Sequence, residues 1–506
     1  MTDINRPDLR LGIVGAGLMG RGIAQIAATA GIEVVLHDAR DDTVRQARQA
    51  LSDTLDMLRG KGRMTADEAT AALGRIRVAD ALADLAGCDV VVEAVVEDLA
   101  VKRELFAALE AVVTPHCILA TNTSSLSVTE VAAACRHPAR VAGFHFFSPV
   151  PLMKVVEVID GVLGDPAVGD SLMVLAQRMG HRPVRASDTP GFIVNHAGRG
   201  FLTEALRIVG ENVAPFHVVD RILREAAGFR MGPFELLDLT GLDVSHPVME
   251  TIYNQYYQEA RYRPSPIARQ RMKAGLLGRK SGQGFYSYVD GKGALPAQPT
   301  APALSARALW IAEGEGDVRE LLLVRLKTAG VPVDEGARPA ADSVCVVLPL
   351  GRDCSSCVVE AGLDPVRTVA IDPLFVDLHA TLMTNPLCAH WARDAVWAAM
   401  AAAGWSVSVI RDSAGCVVQR VMAMIVNIAC DMAQQGIASP EDIDCAVSLG
   451  LGYPNGPLAM GDALGAGKVL RILENLHQLS GDPRYRPSPW LARRARLNAS
   501  LRTQEG

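Results

Sequence analysis

The sequence predicts an α/β domain, an all-α domain, a reduced α/β segment and a second all-α domain. In the first part, short apolar runs alternate with helical patterns, which is typical of a mostly parallel sheet flanked by helices. The helical patterns then continue without strand-like runs, and short segments of them recur about 224 positions later. The predicted boundaries are 1–187, 188–290, 291–411 and 412–506.

Composition narrows the class of protein. The chain has 506 residues, of which 49% are apolar and 21% charged, a globular profile. A net charge of −6 argues against a nucleic-acid partner. The longest uncharged apolar run, Ala395–Ile410, has 16 residues, fewer than the roughly 20 of a membrane span, and Met1–Arg10 lacks a signal-peptide pattern. Ten scattered cysteines fit a reducing, cytoplasmic compartment, and we expect no metal site.

A glycine-rich turn follows the first predicted strand, Leu9–Val14, and reads Gly15-Ala-Gly17-Leu-Met-Gly20 before a helical pattern. Gly15 permits a tight turn, Gly17 lets the backbone approach a pyrophosphate, and Gly20 lets helix and strand pack closely. The helix N-terminus offers amide donors to the phosphates. This order of elements predicts a Rossmann dinucleotide-binding domain.

An acidic residue ends the next predicted strand, Glu33–Asp38. Asp38 lies 18 residues beyond Gly20, where it would accept hydrogen bonds from the adenosine ribose hydroxyls, which favours NAD over NADP. We expect Leu18 and Met19, inside the glycine loop, to contact the cofactor as well. The alternative is a glycine-rich turn in another kind of α/β domain.

A basic cluster lies in the polar helical section Asp41–Leu73. Arg59, Lys61 and Arg63 precede a capping-box pattern, Thr65-Ala-Asp-Glu68. Two interpretations stay open, a solvated charged loop or a contact between Lys61 and a phosphorylated substrate.

Polar residues follow two further predicted strands. Glu97 comes after Asp89–Val96, and Asn122 and Ser124 come after Cys117–Thr121. Because ligands bind outside the carboxyl ends of parallel strands, all three residues are placed for a ligand. For the second group, a surface turn with helix capping is the alternative.

Two apolar strands each carry one ionisable residue. The runs Val141–Phe147 and Met153–Ile159 are separated by Ser148-Pro-Val-Pro151 and contain His145 and Glu157. If the strands fold back on each other, the two side chains can face each other. A carboxylate beside an imidazole fixes its tautomer and stabilises its protonated form, as a general base requires. The alternative is a buried His–Glu hydrogen bond with only a structural role.

Taken together, these motifs resemble the L-3-hydroxyacyl-CoA dehydrogenase family over residues 9 to 288. The resemblance implies a Rossmann domain followed by an all-helical domain, with the active site between them. The matching pieces are the glycine loop, Asn122-Thr-Ser-Ser, Gly143-Phe-His-Phe-Phe-Ser-Pro-Val-Pro, Glu157, Asp188-Thr-Pro-Gly-Phe-Ile-Val-Asn195 and Gly278-Arg-Lys-Ser-Gly-Gln-Gly-Phe-Tyr286.

The resemblance also implies catalytic roles. His145 resembles the family's catalytic base and Glu157 its orienting partner. Ser124 and Asn195 resemble the groups that hydrogen-bond the hydroxyl and carbonyl oxygens of the substrate. The implied reaction is NAD-dependent oxidation of an L-3-hydroxyacyl-CoA to the 3-ketoacyl-CoA.

Further binding residues are implied in the same way. Glu97 and Lys102 resemble the family's nicotinamide-side pair, and Asn122 resembles a cofactor contact. Arg199 lies four residues after Asn195, on the same predicted helical face. It could pair with the terminal carboxylate of a dicarboxylic acyl chain, or it could be a surface arginine.

The second half repeats the helical domain after a proline-containing linker, Val289–Ser305. The second copy has Gln419 in place of Asn195 and lacks a preceding glycine loop and a His–Glu pair, so we expect one active site. Residues 306–411 resemble a shrunken α/β remnant. The repeated segments are Asp188-x-x-Gly191 as Asp412-x-x-Gly415, Gly232-Pro233 as Gly456-Pro457, and Arg261-Tyr-Arg-Pro-Ser-Pro266 as Arg484-Tyr-Arg-Pro-Ser-Pro489.

Within the family, this organisation is similar to bacterial 3-hydroxybutyryl-CoA dehydrogenases and 3-hydroxyadipyl-CoA dehydrogenases of fatty acid and phenylacetate catabolism. Single-copy members of the family dimerise through their helical domains. The second copy is therefore expected to serve as a partner within the chain, forming a pseudo-dimer, and a homo-oligomer of the whole chain stays open. The alternatives are a dehydrogenase for a CoA-free hydroxy acid such as gulonate and a non-catalytic NAD-binding protein of the crystallin type.

Overall fold

The computed structural model describes residues 3–314 and 317–505. They divide into two compact units. The first unit contains residues 3–196, 432–451 and 504–505, and the second contains 197–314, 317–431 and 452–503. Within these described ranges, no helix has both the length and the apolar character needed to cross a membrane.

The first unit is built on an eight-stranded sheet in the order β3-β2-β1-β4-β5-β6-β7-β8. All neighbouring strands are parallel except β6 and β7, which are antiparallel. The strands are β1 (Arg10–Val14), β2 (Glu33–His37), β3 (Ile76–Val78), β4 (Val90–Glu93), β5 (Ile118–Thr121), β6 (Val141–Phe146), β7 (Val155–Asp160) and β8 (Arg182–Ser187).

Apolar side chains cover both faces of this sheet, which explains why its strands are nearly continuous apolar runs. Leu11 and Ile13 of β1 belong to one buried cluster, and Val14 belongs to the cluster on the other face. The helices that contribute to the unit are α1 (Leu18–Thr29), α2 (Asp41–Gly60), α3 (Ala66–Gly74), α4 (Leu99–Val112), α5 (Val128–Ala132), α6 (Pro166–Arg178) and α17 (Pro440–Leu451).

Most predicted elements of this unit are present with shifted ends. The capping box between Thr65 and Glu68 is formed, as predicted. The strand predicted over Asp89–Val96 ends earlier, at Glu93, because its last backbone pairing is with Val14 of β1, after which the chain turns. Strand β3 was not predicted, since a run of three residues is too short to show a period.

The second unit contains a six-stranded sheet in the order β12-β11-β13-β14-β15-β16 and a small β9–β10 hairpin. Only β14 and β15 are antiparallel in the larger sheet. The reduced α/β segment predicted over residues 291–411 is therefore an ordered sheet with its own apolar core. Its strands are β9 (Tyr288–Val289), β10 (Lys292–Gly293), β11 (Leu309–Ile311), β12 (Val333–Asp334), β13 (Val344–Val347), β14 (Thr368–Ile371), β15 (Ala380–Thr384) and β16 (Val407–Arg411).

The all-α parts begin with a short helix, α7 (Val194–Ala197), at the end of the first unit. Ser265 caps α12 by accepting a hydrogen bond from the amide of Ile267. The remaining helices are α8 (Arg199–Gly210), α9 (Phe216–Glu225), α10 (Pro233–Thr240), α11 (Leu242–Gln255), α12 (Pro266–Lys273), α13 (Val318–Thr328), α14 (Cys354–Ala361), α15 (His390–Ala402), α16 (Val418–Gln434), α18 (Pro457–Leu464), α19 (Ala466–Ser480) and α20 (Pro489–Leu497).

Backbone conformation recurs with the period of the sequence repeat. Among the described residues, positive φ is found at both members of seven pairs that are 224 positions apart. In the first copy, Tyr257 and Gln258 both have positive φ, whereas the second copy has only Gly481 at the corresponding turn. This extra residue accounts for the shift of the repeat from 224 to 223. The pairs are Gly180/Gly404, Gly191/Gly415, Phe192/Cys416, Asn212/Gly436, Gly228/Gly452, Gly241/Gly465 and Tyr257/Gly481.

Candidate active site

The antiparallel pair β6 and β7 brings the two ionisable residues of the predicted base together. His145 is paired with Glu157 in the strand register, and both lie on one face of the pair. Nδ1 of His145 is 2.6 Å from Oε2 of Glu157. The two side chains are 5% and 0% exposed, so the contact is shielded from water.

Backbone amides hold the other carboxylate oxygen in place. Oε1 of Glu157 accepts hydrogen bonds from the amides of Ile193, at 3.0 Å, and Val194, at 2.8 Å. With both oxygens of Glu157 acting as acceptors, Nδ1 of His145 carries a proton and Nε2 keeps its lone pair. The arrangement leaves Nε2 able to accept a proton from a ligand.

Aromatic rings border the imidazole of His145. The ring centroid of Phe147 is 4.4 Å away, and Phe192 makes an edge contact at 5.9 Å. Phe192 is buried and has φ +48°, a conformation that costs free energy in a residue with a bulky side chain. The two rings limit access of water to the imidazole.

A second polar cluster lies beyond the carboxyl ends of β4 and β5. Oε1 of Glu97 accepts hydrogen bonds from the amides of Ser124, at 2.8 Å, and Ser125, at 3.0 Å. Nζ of Lys102 is 3.3 Å from the other oxygen of Glu97. Burial alone would raise the pKa of Glu97, but the charge of Lys102 and the hydrogen bonds outweigh burial and lower it. Glu97 is therefore a charged acceptor at this edge.

Glu93 belongs to this cluster and was not predicted. It is the last residue of β4, and its Oε1 lies 2.6 Å from Nζ of Lys102, which is almost wholly buried. Oε2 accepts from the hydroxyl of Thr121, at 2.7 Å. The sequence did contain a signal for Glu93, because it is an ionisable residue inside an apolar run. The same signal pointed to His145 and Glu157.

Three more predicted residues lie in contact with these groups. Oδ1 of Asn122 accepts from the amide of Phe146, at 2.8 Å, and so joins the end of β5 to the strand of His145. Nδ2 of Asn195 donates to the backbone carbonyl of Ser124, at 3.3 Å. The hydroxyl of Ser124 is 3.2 Å from Oε1 of Glu97. The residues predicted for chemistry thus lie together in the first unit.

The glycine loop has the shape expected for a dinucleotide. Gly15 has φ +104°, and a Cβ there would lie 2.4 Å from the carbonyl oxygen of Ala94. A Cβ on Gly20 would collide with the backbone of Gly15, whereas a Cβ on Gly17 would meet nothing within 4 Å. The loop is closed on its protein side and open at Gly17, where a phosphate could approach.

Asp38 is tied to this loop. Its Oδ2 accepts from the amide of Ala16, at 2.9 Å, and its Oδ1 accepts from the amide of Arg40, at 3.1 Å. Burial alone would raise the pKa of Asp38, but these hydrogen bonds and the charge of Arg40 lower it. Leu18 is largely exposed at the start of α1, and Met19 packs partly against the core of the unit.

A cavity of about 390 Å³ lies beside α1 and α2 in the first unit. Lys61, exposed at the C-terminal end of α2, lines it together with Arg21 and Arg63. Most of the other lining residues are apolar, and Leu18, Met57 and Leu152 are conspicuously exposed there. Lys61 therefore lies at the cationic rim of an apolar cavity, and its exposure leaves both sequence interpretations open.

The structure decides only one of the two sequence interpretations of Arg199. The predicted continuous helix is divided at Gly198 into α7, with Asn195, and α8, with Arg199. Arg199 is 4% exposed, so it is not a surface arginine. Burial lowers its pKa to about 10, and the neighbouring Tyr453 opposes that shift. A role for Arg199 in binding a substrate carboxylate stays a prediction, and its burial weighs against it.

Comparison with known proteins identifies a single family over most of the chain. The sequence model described as "3-hydroxyacyl-CoA dehydrogenase, NAD binding domain" matches residues 10–189. The model of the C-terminal domain of the same family matches twice, over residues 191–288 and 415–506. The predicted helical repeat therefore corresponds to two matches of one domain.

Individual relatives agree with the family models. The chain is 37% identical to the 3-hydroxyadipyl-CoA dehydrogenase of Escherichia coli K12, over 96% of this chain and 97% of that protein. It is 39% identical to the 3-hydroxybutyryl-CoA dehydrogenase of Bradyrhizobium diazoefficiens, over 56% of this chain and 96% of that protein.

A solved structure extends the likeness to the fold. The crystal structure of 3-hydroxybutyryl-CoA dehydrogenase from Escherichia coli K12 superposes with a TM-score of 0.84 at 35% identity, covering 97% of this chain and 98% of that one. Sequence and fold therefore agree over nearly the whole length. The chain belongs to the 3-hydroxyacyl-CoA dehydrogenase family.

Proposed function

We propose that the protein oxidises an L-3-hydroxyacyl-CoA to the 3-ketoacyl-CoA, with NAD⁺ as the hydride acceptor. The observation that carries the proposal is the buried contact of 2.6 Å between His145 and Glu157. Nε2 of His145 accepts the proton of the C3 hydroxyl as the C3 hydrogen leaves with its electron pair. Glu157 fixes the tautomer of the imidazole and balances the positive charge that His145 gains. The products are the ketone, NADH and a proton held on His145.

The residues of the first unit fit a bound NAD⁺, which supplies the nicotinamide that takes the hydride. Gly17 leaves open space for the pyrophosphate at the start of α1, and Gly15 and Gly20 pack too closely for any side chain. The carboxylate of Asp38 lies at the loop, where it would accept from ribose hydroxyls and repel a 2′-phosphate. Leu18 and Met19 would contact the same cofactor.

The remaining site residues receive separate roles in this proposal. Ser124 and Asn195 would hydrogen-bond the hydroxyl and carbonyl oxygens of the substrate; they contact each other through the Ser124 carbonyl. Glu97 and Lys102 form an ion pair that would position the nicotinamide side of the cofactor. Asn122 would contact the cofactor while it holds the backbone of β6.

The cavity beside α2 supports a CoA thioester as the substrate. CoA combines a flexible, weakly polar arm with a phosphorylated nucleotide. The cavity combines an apolar lining with the cationic side chains of Arg21, Lys61 and Arg63. Lys61 would bind a phosphate by a charge-assisted hydrogen bond. The names of the compared relatives make 3-hydroxyadipyl and 3-hydroxybutyryl thioesters the first substrates to test.

One assay tests the proposal. Formation of NADH is measured with a panel of 3-hydroxyacyl-CoA thioesters that differ in chain length and terminal charge, and with L-gulonate. The expected result is that NADH forms with a thioester and does not form with L-gulonate. Oxidation of gulonate alone would replace the proposal with a CoA-free hydroxy acid dehydrogenase. Tight NAD⁺ binding without turnover of any compound would favour a non-catalytic role.

We also propose that the second half is a degenerate duplicate of the first. If β3 and β5 are left out, the strands of the first sheet follow the same order as those of the six-stranded sheet in the second unit. The antiparallel pair β14–β15 then corresponds to the antiparallel pair β6–β7. In the strand register Asp372 and Thr381 occupy the positions of His145 and Glu157. Without a base, this copy would not catalyse the reaction. The boundaries between the domains of the two copies would then be those predicted from the sequence, at 1–187, 188–290, 291–411 and 412–506.

Reciprocal contacts support an intrachain pseudo-dimer. The amide of Ser187 donates to the carbonyl of Ile437, at 2.8 Å, and the amide of Arg411 donates to the carbonyl of Val213, at 2.9 Å. Arg411 lies 224 positions after Ser187, and Val213 lies 224 positions before Ile437. Such an exchange is the pattern that a two-fold relation between two copies produces.

Buried charge joins the two copies within the second unit. Glu204 of the first copy lies 2.7 Å from Arg420 and 3.2 Å from Arg484 of the second, and all three side chains are buried. If the second copy takes the place of a partner subunit, a protein truncated near Asp290 should aggregate or dimerise through the exposed face of the first copy. A truncated protein that sediments as a stable, active monomer would contradict the proposal.

A cytoplasmic location belongs to the same proposal. Cys88 and Cys117 are neighbouring buried thiols, and a reducing compartment keeps such thiols free.

A further inference from the structure

Helix α17 comes from the second C-terminal-domain match but lies against the sheet of the first unit. It packs on β7 and β8. The segment before it is joined to the end of β8, since the amide of Ser187 donates to the carbonyl of Ile437. Glu441 in its first turn pairs with Arg182 at the start of β8, at 3.0 Å. The helix is therefore anchored to the strand next to the one that carries Glu157.

Gly450, near the end of α17, makes the closest approach. A Cβ on Gly450 would lie 2.9 and 3.0 Å from the two methyl carbons of Val194, and 3.6 Å from Cγ1 of Val155. Contacts under 3.0 Å require a neighbour to shift, and Val194 is buried and stiff at χ1. Gly450 does not have positive φ, so alanine is compatible with its backbone. The absence of a side chain at this position is required by packing.

Both residues that Gly450 touches are next to the carboxylate of the site. The amide of Val194 donates to Oε1 of Glu157, at 2.8 Å. Val155 lies two positions before Glu157 on β7, so the two side chains share one face of the strand. Oε2 of Glu157 in turn contacts His145. A displacement of Val194 would thus move a donor that fixes Glu157.

We propose that Gly450 is a positioning residue for the dehydrogenase reaction, acting through Val194 on Glu157. The inference rests on the function proposed above. It assigns to the second helical copy a part in the geometry of the active site, in addition to its packing role. A misplacement of the order of 1 Å at a reacting group costs up to about 10²-fold in rate.

The test is a size exchange in the full-length protein. Gly450→Ala adds the methyl that collides with Val194, and Val194→Ala removes the two methyls that fill the contact. Each single change is expected to lower kcat about 3- to 10-fold with an unchanged KM for NAD⁺, because the glycine loop is elsewhere. In the double variant the new methyl occupies the vacated space, so kcat should return to within about twofold of wild type. Gly74→Ala, at the end of α3 with nothing within 4 Å of its Cβ, is the matched control.

The outcomes separate the inference from the proposed function. If the wild-type protein forms no NADH with any hydroxyacyl-CoA, the proposed function fails, and the inference with it. If the wild type is active and Gly450→Ala keeps its kcat within twofold, the inference alone is overturned. A double variant whose fold-loss in kcat equals the product of the two single fold-losses also overturns it, since independent effects add in free energy. Should Gly450→Ala fail to fold by circular dichroism, Val194→Ala decides the matter, and an unchanged kcat there overturns the inference.

Discussion

Replacing Glu157 by glutamine exchanges one carboxylate oxygen for an amide NH₂ of almost the same size. Oε1 of Glu157 accepts two backbone amides, so the amide oxygen of a glutamine must occupy that position. The NH₂ group then points at Nδ1 of His145, where the carboxylate oxygen now lies at 2.6 Å. An NH₂ can only donate there, so Nδ1 must give up its proton and Nε2 must carry it. The imidazole is then in the tautomer that cannot accept a proton from the substrate.

The magnitude follows from this change of tautomer. A positioned general base contributes about 10²–10⁴-fold, and the equivalent change in a Ser-His-Asp triad lowers kcat about 10⁴-fold. We therefore expect Glu157→Gln to lower kcat about 10²–10⁴-fold, which corresponds to about 3–5 kcal/mol in the activation barrier. The Kd for NAD⁺ should be unchanged, since Glu157 makes no contact with the glycine loop.

The assay is steady-state formation of NADH from 3-hydroxybutyryl-CoA, together with equilibrium binding of NAD⁺. Glu130→Gln, at an exposed position in the first turn of α5, is the control for the same chemical change. A Glu157→Gln protein that is folded and turns over at close to the wild-type rate would refute the argument, because the wrong tautomer would then be without effect.

Three further predictions concern the cofactor, the substrate and stability. Asp38→Ser removes the carboxylate at the glycine loop and should reduce the preference for NAD⁺ over NADP⁺, measured as the ratio of kcat/KM values, about 10- to 100-fold. Lys61→Met should raise the KM for the acyl-CoA about 10-fold with little change in kcat, and an unchanged KM would remove Lys61 from the binding site. Burial raises the pKa of Asp372 to about 7, although hydrogen bonds from Gln419 and Leu374 oppose the shift. Its folded pKa exceeds the unfolded value of about 3.8, so its contribution to stability is present below about pH 4 and is lost as the pH rises through 7. The increase in Tm that Asp372→Asn causes over wild type should therefore be larger at pH 8 than at pH 5. Equal increases at both pH values would contradict this.

Local patterns were enough to predict much of the first unit. The glycine loop and the apolar strands around it are recognisable because turn chemistry and strand burial act over a few residues. The register of β6 and β7 was also predictable in outline, since one ionisable residue stood out in each apolar run. The ends of the strands were less well predicted, as for β4, because they depend on where a neighbouring strand stops.

Other parts of the site could not be read from local patterns. The amides of Ile193 and Val194 reach Glu157 across more than thirty positions of the chain. Backbone donors carry no residue-type signal, so a sequence does not reveal them. Lys102 was placed beside Glu97, but its shorter contact is with Glu93, which faces inward on a strand. Burial of Arg199 was likewise invisible, since a helical pattern does not show what covers each face.

By itself the sequence determined that one dinucleotide loop and one His–Glu pair occur in the first half, and that a helical repeat without them occurs in the second. Those features are chemical identities and spacings, which need no knowledge of packing. Only the tertiary structure decided that residues 432–451 of the predicted second all-α domain belong to the first compact unit. The contact of Gly450 with Val194 depends on the shapes of surfaces more than 250 positions apart. Such complementarity arises only when the chain is folded, because neither surface is defined by its own stretch of sequence.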